Sequence, residues 1–270
     1  MSRILPFTKF YSTDNGVMIA KDNIAYSDLD MIEKLRQLNK SLCVIKSESD
    51  IGICFADDIN NSHSATKMKM VAYAHPMPLD QFGDPDFIKT YGLNMAYMTG
   101  AMANGIASEE LVIAVGKAGL LGSFGAAGLL PIRIEDAINK IQKSIPNGPY
   151  AFNLIHSPSE DAIEKGAVKL FLKYGVKTVE ASAFMGLTPS IVQYRVAGLS
   201  LSMDNKIIIS NRVIAKISRK EVASKFMSPA PISILKKLIE EGHVTKEQAQ
   251  LAAHVPMADD ITAVSYTHLR

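Results

Sequence analysis

The sequence lacks tryptophan, has only two cysteines and carries no long block of like charge. Cys43 and Cys54 form no CxxC pair and have no histidine cluster beside them, which gives no support to a disulfide framework or a metal site and predicts two reduced thiols. Lysine and arginine number 29 against 27 acidic residues, for a formal charge of +2, so nothing predicts a nucleic-acid partner. Since 47% of the 270 residues are hydrophobic, a disordered or fibrous chain is excluded.

An apolar stretch suited to crossing a membrane is also missing. Residues 111–130 contain one charge, Lys117, but five glycines interrupt them. Ser108 is typical of a helix start and Gly119 of a helix end, so the stretch predicts a helix, a turn and a buried strand rather than a span. Residues 1–9 hold no apolar run of leader length. We therefore expect a cytoplasmic protein with no membrane partner.

What the sequence does contain, from about residue 93 onward, is a repeated pattern of a short apolar run followed by an amphipathic helix, at a spacing of roughly thirty residues. Capping boxes at Ser157 and Ser218, and Pro189 after Thr188, predict where helices begin. The apolar runs are too short for helices and predict strands. They are residues 94–99, 120–124, 150–155, 178–183 and 213–217.

This alternation predicts an α/β fold, either a doubly wound sheet or a (β/α)8 barrel. No GxGxxG follows the first strand, and polar residues gather at the ends of several strands, which favours a TIM-type barrel over residues 93–264. Residues 1–92 differ. A helix from Ser27 and two short strands predict a small α+β lobe, and residues 57–91 predict an irregular connector.

Small and polar residues follow the predicted strands, where a barrel places its site. The turn after the first strand would let a flat ring approach backbone amides, although a plain tight turn explains it too. Asn153 can donate and accept hydrogen bonds together, or serve as a structural amide. The candidate residues are Gly100, Ala101, Met102, Ala103, Ser123, Asn153, Ser182 and Lys216.

Two residues, Lys216 of this set and also His156, have more than one interpretation. Lys216 lies near the end of the fifth strand, and a lysine that points into a barrel serves an anion, a developing negative charge or a Schiff base. If it points outward, it is an ordinary surface lysine. His156 precedes a Ser-Pro pair, a setting more typical of a loop residue than of a catalytic one.

Several of these segments resemble motifs of a known family of proteins. Residues 97–108, 119–125 and 153–158 resemble the FMN-binding barrel of the nitronate monooxygenase-like superfamily. Residues 180–185, 211–216 and 256–262 are most similar to the PfaD-type enoyl reductases, which act in trans on polyunsaturated fatty acid and polyketide synthases. The resemblance covers nearly the whole chain.

The resemblance implies FMN-dependent reduction of a 2-enoyl thioester on an acyl carrier protein, with NADPH or NADH as reductant. By position, Gly100 to Ala103 contact the flavin ring, Asn153 meets its pyrimidine edge, and Ser123 and Ser182 lie around it. Lys216 near N1 is the catalytic candidate, because it stabilises the anionic reduced flavin. Acyl carrier protein domains are the implied partners, and a homodimer is compatible with this assignment.

The end of the chain departs from the resemblance. A (β/α)8 barrel needs eight strands, yet the sixth would fall at residues 260–262, so about six are present. The family's proton-donating histidine and its phosphate-binding loops would lie beyond the end. Residues 265–270 are typical of a non-native tail, and His268 is not that histidine. We therefore expect the chain as written to be poorly soluble, to bind FMN weakly and to show no turnover.

Other functions are compatible with the same residues. A nitronate monooxygenase-type oxidase would use the flavin without a carrier protein. A Schiff-base aldolase would use Lys216 as its nucleophile. An inactive truncated fragment or a carrier-docking subunit would need neither a flavin nor a nucleophilic lysine.

Overall fold

The computed structural model describes residues 16–48, 50–59, 65–158 and 161–263. The chain divides into two compact units, Met1–Pro85 and Asp86–Arg270. Within the described ranges, no helix combines the length and apolarity that a bilayer crossing requires.

The first unit is built on a four-stranded antiparallel sheet with one helix. Its elements are β1 (Val17–Ile19), α1 (Asp28–Leu35), β2 (Leu42–Lys46), β3 (Ile51–Phe55) and β4 (Thr66–Ala74), with the strands in the order β1-β4-β2-β3. Ser27 caps α1 by accepting the Asp30 N–H, as the sequence predicted. The small α+β lobe is therefore confirmed.

The two cysteines lie opposite each other in this sheet. Cys43 of β2 is the register partner of Cys54 of β3, and both are free thiols with no exposed surface. The hydrogen bond that the Cys54 thiol donates to Cys43, together with burial, raises the pKa of Cys54, so this thiol stays protonated.

The structure differs from the irregular connector predicted over residues 57–91, because nine of those residues form the strand β4. Lys67 and Lys69 alternate there with Met68 and Met70, a period typical of a strand with one buried face. The nearby prolines obscured that alternation. The stretch ends in a helix, α2 (Pro85–Tyr91).

The second unit is an incomplete TIM-type barrel, which confirms the predicted fold class. Six parallel strands follow the order β12-β11-β8-β7-β6-β5, so each βα unit adds its strand beside the previous one. The strands are β5 (Met98–Thr99), β6 (Leu121–Phe124), β7 (Tyr150–Ile155), β8 (Thr178–Ser182), β11 (Arg212–Ile217) and β12 (Asp260–Ala263). A hairpin of β9 (Leu199–Leu201) and β10 (Ile207–Ile209) is inserted before β11.

Helices, most of them amphipathic, pack outside this sheet or on one another. They are α3 (Glu109–Lys117), α4 (Pro131–Ser144), α5 (Asp161–Lys173), α6 (Pro189–Ala197), α7 (Lys220–Phe226), α8 (Ile232–Glu240) and α9 (Lys246–Ala252). Ser108 and Thr188 cap their helices as predicted. The predicted capping box at Ser218 is wrong, because α7 begins one residue later and Arg219 holds the cap position without a side-chain bond. The capping box predicted at Ser157 includes residues 159 and 160, which lie outside the described residues. The predicted non-native tail, residues 265–270, also lies outside them.

The interior of the barrel is apolar at its amino-terminal end. Leu121, Ala151 and Ile214, each on a different strand, pack there against Tyr91 at the end of α2. The Tyr91 hydroxyl donates to Asp260 Oδ2 over 2.7 Å, and burial together with this carboxylate raises the pKa of Tyr91. A plugged amino-terminal end leaves the carboxyl ends of the strands as the open face of the barrel.

Candidate active site at the carboxyl ends of the barrel strands

Polar side chains form the next interior layer above this apolar plug. Side chains alternate along a strand, and Val179 and Ala181 of β8 pack outward into the helix-covered core. Glu180 and Ser182 therefore face inward. The same alternation brings Ser123 of β6, Asn153 of β7 and Lys216 of β11 into this layer.

Glu180 is the centre of the layer, although it was not among the candidate residues and only began one of the motifs that carry the resemblance. The residue is 3% exposed. Its Oε2 accepts the Ala101 N–H over 2.9 Å and the Ser123 hydroxyl over 2.7 Å. Lys216 Nζ lies 3.6 Å from Oε1. A buried carboxylate needs such partners, because its desolvation is otherwise costly.

Lys216 thus points toward the barrel interior, and its side chain is 38% exposed. Its Nζ is paired with Glu180, whereas a Schiff-base aldolase needs a lysine free to attack a carbonyl, so the geometry gives no support to the aldolase alternative. A fixed ammonium beside an open face is suited to stabilising negative charge on a ligand.

The turn after β5 approaches this pair closely. A Cβ built on Gly100 would meet only Lys216 Nζ at 3.9 Å and Glu180 Oε1 at 4.0 Å, so open space lies above the glycine. Gly125 makes room on the other side, because a Cβ there would lie 1.6 Å from the Met102 carbonyl oxygen. Met102 and Ala103 are exposed. The turn therefore presents small residues and backbone amides to a ligand.

The side chains of Asn153 and Ser182 are hydrogen-bonded to each other. The Asn153 amide nitrogen donates to Ser182 Oγ over 2.9 Å and to the Glu180 carbonyl oxygen over 3.1 Å. Both amide hydrogens are therefore engaged, and a ligand would find only the oxygen Oδ1 of Asn153.

His156 is held in place by a buried carboxylate that no sequence pattern indicated. Its Nδ1 lies 2.8 Å from Glu164 Oε2, and the Thr188 hydroxyl donates to Glu164 Oε1. Glu164 is 3% exposed. The His156 ring stacks on Phe184, with ring centroids 5.3 Å apart. The histidine is a positioned group between two βα loops rather than a free loop residue.

Within the described parts of the chain, no group of three His, Cys, Asp or Glu side chains is arranged to hold a metal ion. The polar layer therefore consists of hydrogen-bonding groups, one carboxylate and one ammonium.

Comparison with known proteins finds similar sequences among proteins of fatty acid and polyketide synthesis. A polyunsaturated fatty acid synthase subunit of Thraustochytrium sp. is 52% identical over 199 residues, which cover 74% of this chain and 13% of that protein. The polyketide biosynthesis protein PksE of Bacillus subtilis is 43% identical over 183 residues, covering 67% of this chain and 24% of that protein. No family model matches the chain.

A solved structure is also similar. The enoyl reductase domain of MlnA, from the macrolactin biosynthesis cluster of Bacillus amyloliquefaciens, is 41% identical with a TM-score of 0.66. The match covers 68% of this chain and 42% of that domain's chain. This chain spans at most 24% of the length of the curated relatives it matches.

Proposed function

We propose that this chain forms the flavin-binding part of a PfaD-type enoyl reductase. Over two thirds or more of its length it is homologous to polyunsaturated fatty acid synthase subunits and polyketide biosynthesis proteins. This homology confirms the resemblance to the PfaD-type enoyl reductases. The observation that carries this proposal is the Glu180–Lys216 pair beneath the open space over Gly100. The substrate class is a 2-enoyl thioester on an acyl carrier protein domain, and the reductant is NADPH or NADH. The pathway is fatty acid or polyketide synthesis in the cytoplasm.

The residues present fit an FMN ring. The space over Gly100 is a cradle that a single Cβ would begin to fill. A flavin's pyrimidine edge offers both donors and acceptors, and this layer offers both in return. The Lys216 ammonium can donate and Asn153 Oδ1 can accept, whereas the Ala101 N–H is already engaged by Glu180 and helps to fix that carboxylate under the ring position. We assign Gly100 to Ala103 to the ring face.

The remaining predicted residues take supporting roles. Ser123 and Ser182 border the ring position, and Asn153 offers its oxygen Oδ1 to the pyrimidine edge. A bound FMN would supply hydride transfer, which protein side chains do not perform alone. Lys216 holds a positive charge where the reduced ring carries its negative charge. Glu180 keeps that ammonium in place.

A single-turnover experiment tests this function in the chain itself. The protein is mixed without oxygen with a saturating excess of chemically reduced FMN and the crotonyl thioester of N-acetylcysteamine. The chain as written is expected to show no turnover with NADPH, but reduced FMN supplied in excess bypasses the nicotinamide step. We therefore expect the visible absorbance of oxidised flavin to return, with an equal amount of butyryl thioester formed. Saturating FMN compensates for weak affinity.

The matched control is Ala101→Leu, which places bulk against the ring and should slow this return by at least tenfold. Flavin that stays reduced with the unaltered protein would reject the reductase assignment. Oxygen-dependent consumption of an added nitronate by the protein with FMN, with no butyryl product from the thioester, would favour the oxidase alternative.

A further inference from the structure

A cavity opens between the carboxyl ends of β8 and β11, and two residues of the polar layer, Ser182 and Lys216, form part of its lining. Its volume is about 240 Å³. Phe184, Met185 and Val222 supply apolar wall, and Lys216 and Arg219 supply its cations. Because Lys216 also belongs to the polar layer of the barrel, this cavity adjoins the space assigned to the flavin.

The charge of the cavity is modestly positive. None of its lining residues is acidic. The Lys216 ammonium is balanced by Glu180 at 3.6 Å, whereas Arg219 has no ion-pair partner in the described ranges of the chain. About one uncompensated positive charge therefore faces the cavity. Such a site is suited to a polarised carbonyl or a singly charged oxygen, whereas a phosphate dianion usually recruits several cations.

The size of the cavity narrows the ligand further. Sites that enclose a whole ligand usually measure about 300 to 1,000 Å³, so 240 Å³ suits the end of a longer ligand. We propose that this cavity holds the acyl thioester end of the substrate. The carbonyl oxygen faces Lys216, Ser218 and Arg219, and the carbon chain packs on Phe184 and Met185. This assignment rests on the proposed reductase function.

The chemistry of the reduction explains why cations belong here. A bound reduced flavin would supply hydride to the β-carbon, and the electron pair of the carbon–carbon double bond would then shift through the α-carbon to the carbonyl oxygen, giving an enolate. A proton from a general acid or water then reaches the α-carbon, and the carbonyl is restored. Lys216 and Arg219 stabilise the oxygen while it is negative.

The Phe184 part of the apolar wall is held in place before any ligand arrives. Phe184 stacks on His156, and His156 is held by buried Glu164. Ala183 adopts a left-handed conformation, with φ of 62°, which directs the chain from β8 into this wall. The cavity is therefore preorganised, and His156 is a positioning residue for Phe184.

Methionine methyl groups provide a direct test that needs no flavin. In protein with isotope-labelled methionine methyls, the crotonyl thioester of N-acetylcysteamine is titrated and the spectrum is followed by NMR. The Met185 signal, identified with Met185→Leu, should shift and saturate. Met203 on the β9–β10 hairpin is fully exposed, and its signal should stay in place.

Two further arms decide between ligands and test the location. Ser218→Phe, which fills the mouth, should weaken the response of the Met185 signal at least tenfold, whereas Ser224→Phe on the exposed side of α7 should not. A Met185 response to inorganic phosphate without a response to the thioester would overturn the proposal, and so would a thioester response unaffected by Ser218→Phe. If the Met185 signal saturates while the single-turnover experiment yields no product, the cavity assignment stands and the reductase function fails.

Discussion

Removing the Lys216 charge isolates the interaction at the centre of the site. Lys216→Met keeps the length of the side chain and leaves Glu180 without its cation. At 3.6 Å the attraction is roughly 4 to 5 kcal/mol for an effective dielectric constant of about 20. Lys216 is 38% exposed, so solvent screens part of this, and Glu180 keeps two hydrogen bonds. We expect a net loss of about 2 kcal/mol in the free energy of unfolding at neutral pH.

Urea unfolding followed by circular dichroism measures this loss. The double variant Lys216→Met/Glu180→Gln removes both charges, so it should recover much of the stability lost in the single variant. Lys206→Met, at an exposed lysine of the hairpin, controls for a general effect of losing a charge. A single variant as stable as the control, or a double variant that shows no coupling, would refute the argument that Glu180 depends on Lys216.

Three other changes test neighbouring parts of the fold. Gly125→Ala places a Cβ 1.6 Å from the Met102 carbonyl oxygen, so it should cost at least about 2 kcal/mol in urea unfolding and displace the turn; an unchanged midpoint contradicts the close approach. Asp259 Oδ2 accepts a hydrogen bond from Arg195 Nη1 over 2.7 Å, and Arg195 is 1% exposed. Asp259→Asn removes this charged partner and should lower the free energy of unfolding by about 3 to 5 kcal/mol. A loss under about 1 kcal/mol would contradict the ion pair. The hydrogen bond from Arg133 of α4 is the main reason that the pKa of Glu109 is lowered from 4.5. Glu109→Gln should therefore reduce the free energy of unfolding above pH 4.5, and the difference from the unaltered protein should shrink as the pH falls below 4.5. A difference independent of pH would reject that ion pair.

Apolar runs bounded by turn residues were sufficient to predict the barrel strands. Residues 150–155 coincide with β7, and the predictions for β6, β8 and β11 differ by one residue. The first strand is shorter than predicted, because only Met98–Thr99 pairs with β6. Buried parallel strands need apolar residues on both faces, which makes their pattern conspicuous in a sequence.

The charged partners could not be found in the same way. Glu180 accepts from residues 57 and 79 positions away in the chain, and neither spacing is a motif. One signal was available: Glu180 lies two residues before Ser182 on the same strand, so alternation places both on one face. Glu164 had no such signal, because its partners His156 and Thr188 belong to different βα loops.

Binding of FMN to variants of the β5 turn tests the central claim most directly. Titration of FMN fluorescence with the protein should show saturable quenching. Gly100→Val fills the space beside Lys216 and Glu180 and should weaken binding at least tenfold. Gly166→Val, at a glycine of α5 with no atom within 4 Å of a built Cβ, should bind as the unaltered protein does. No saturable quenching, or equal binding by both variants, would contradict a flavin site over Gly100.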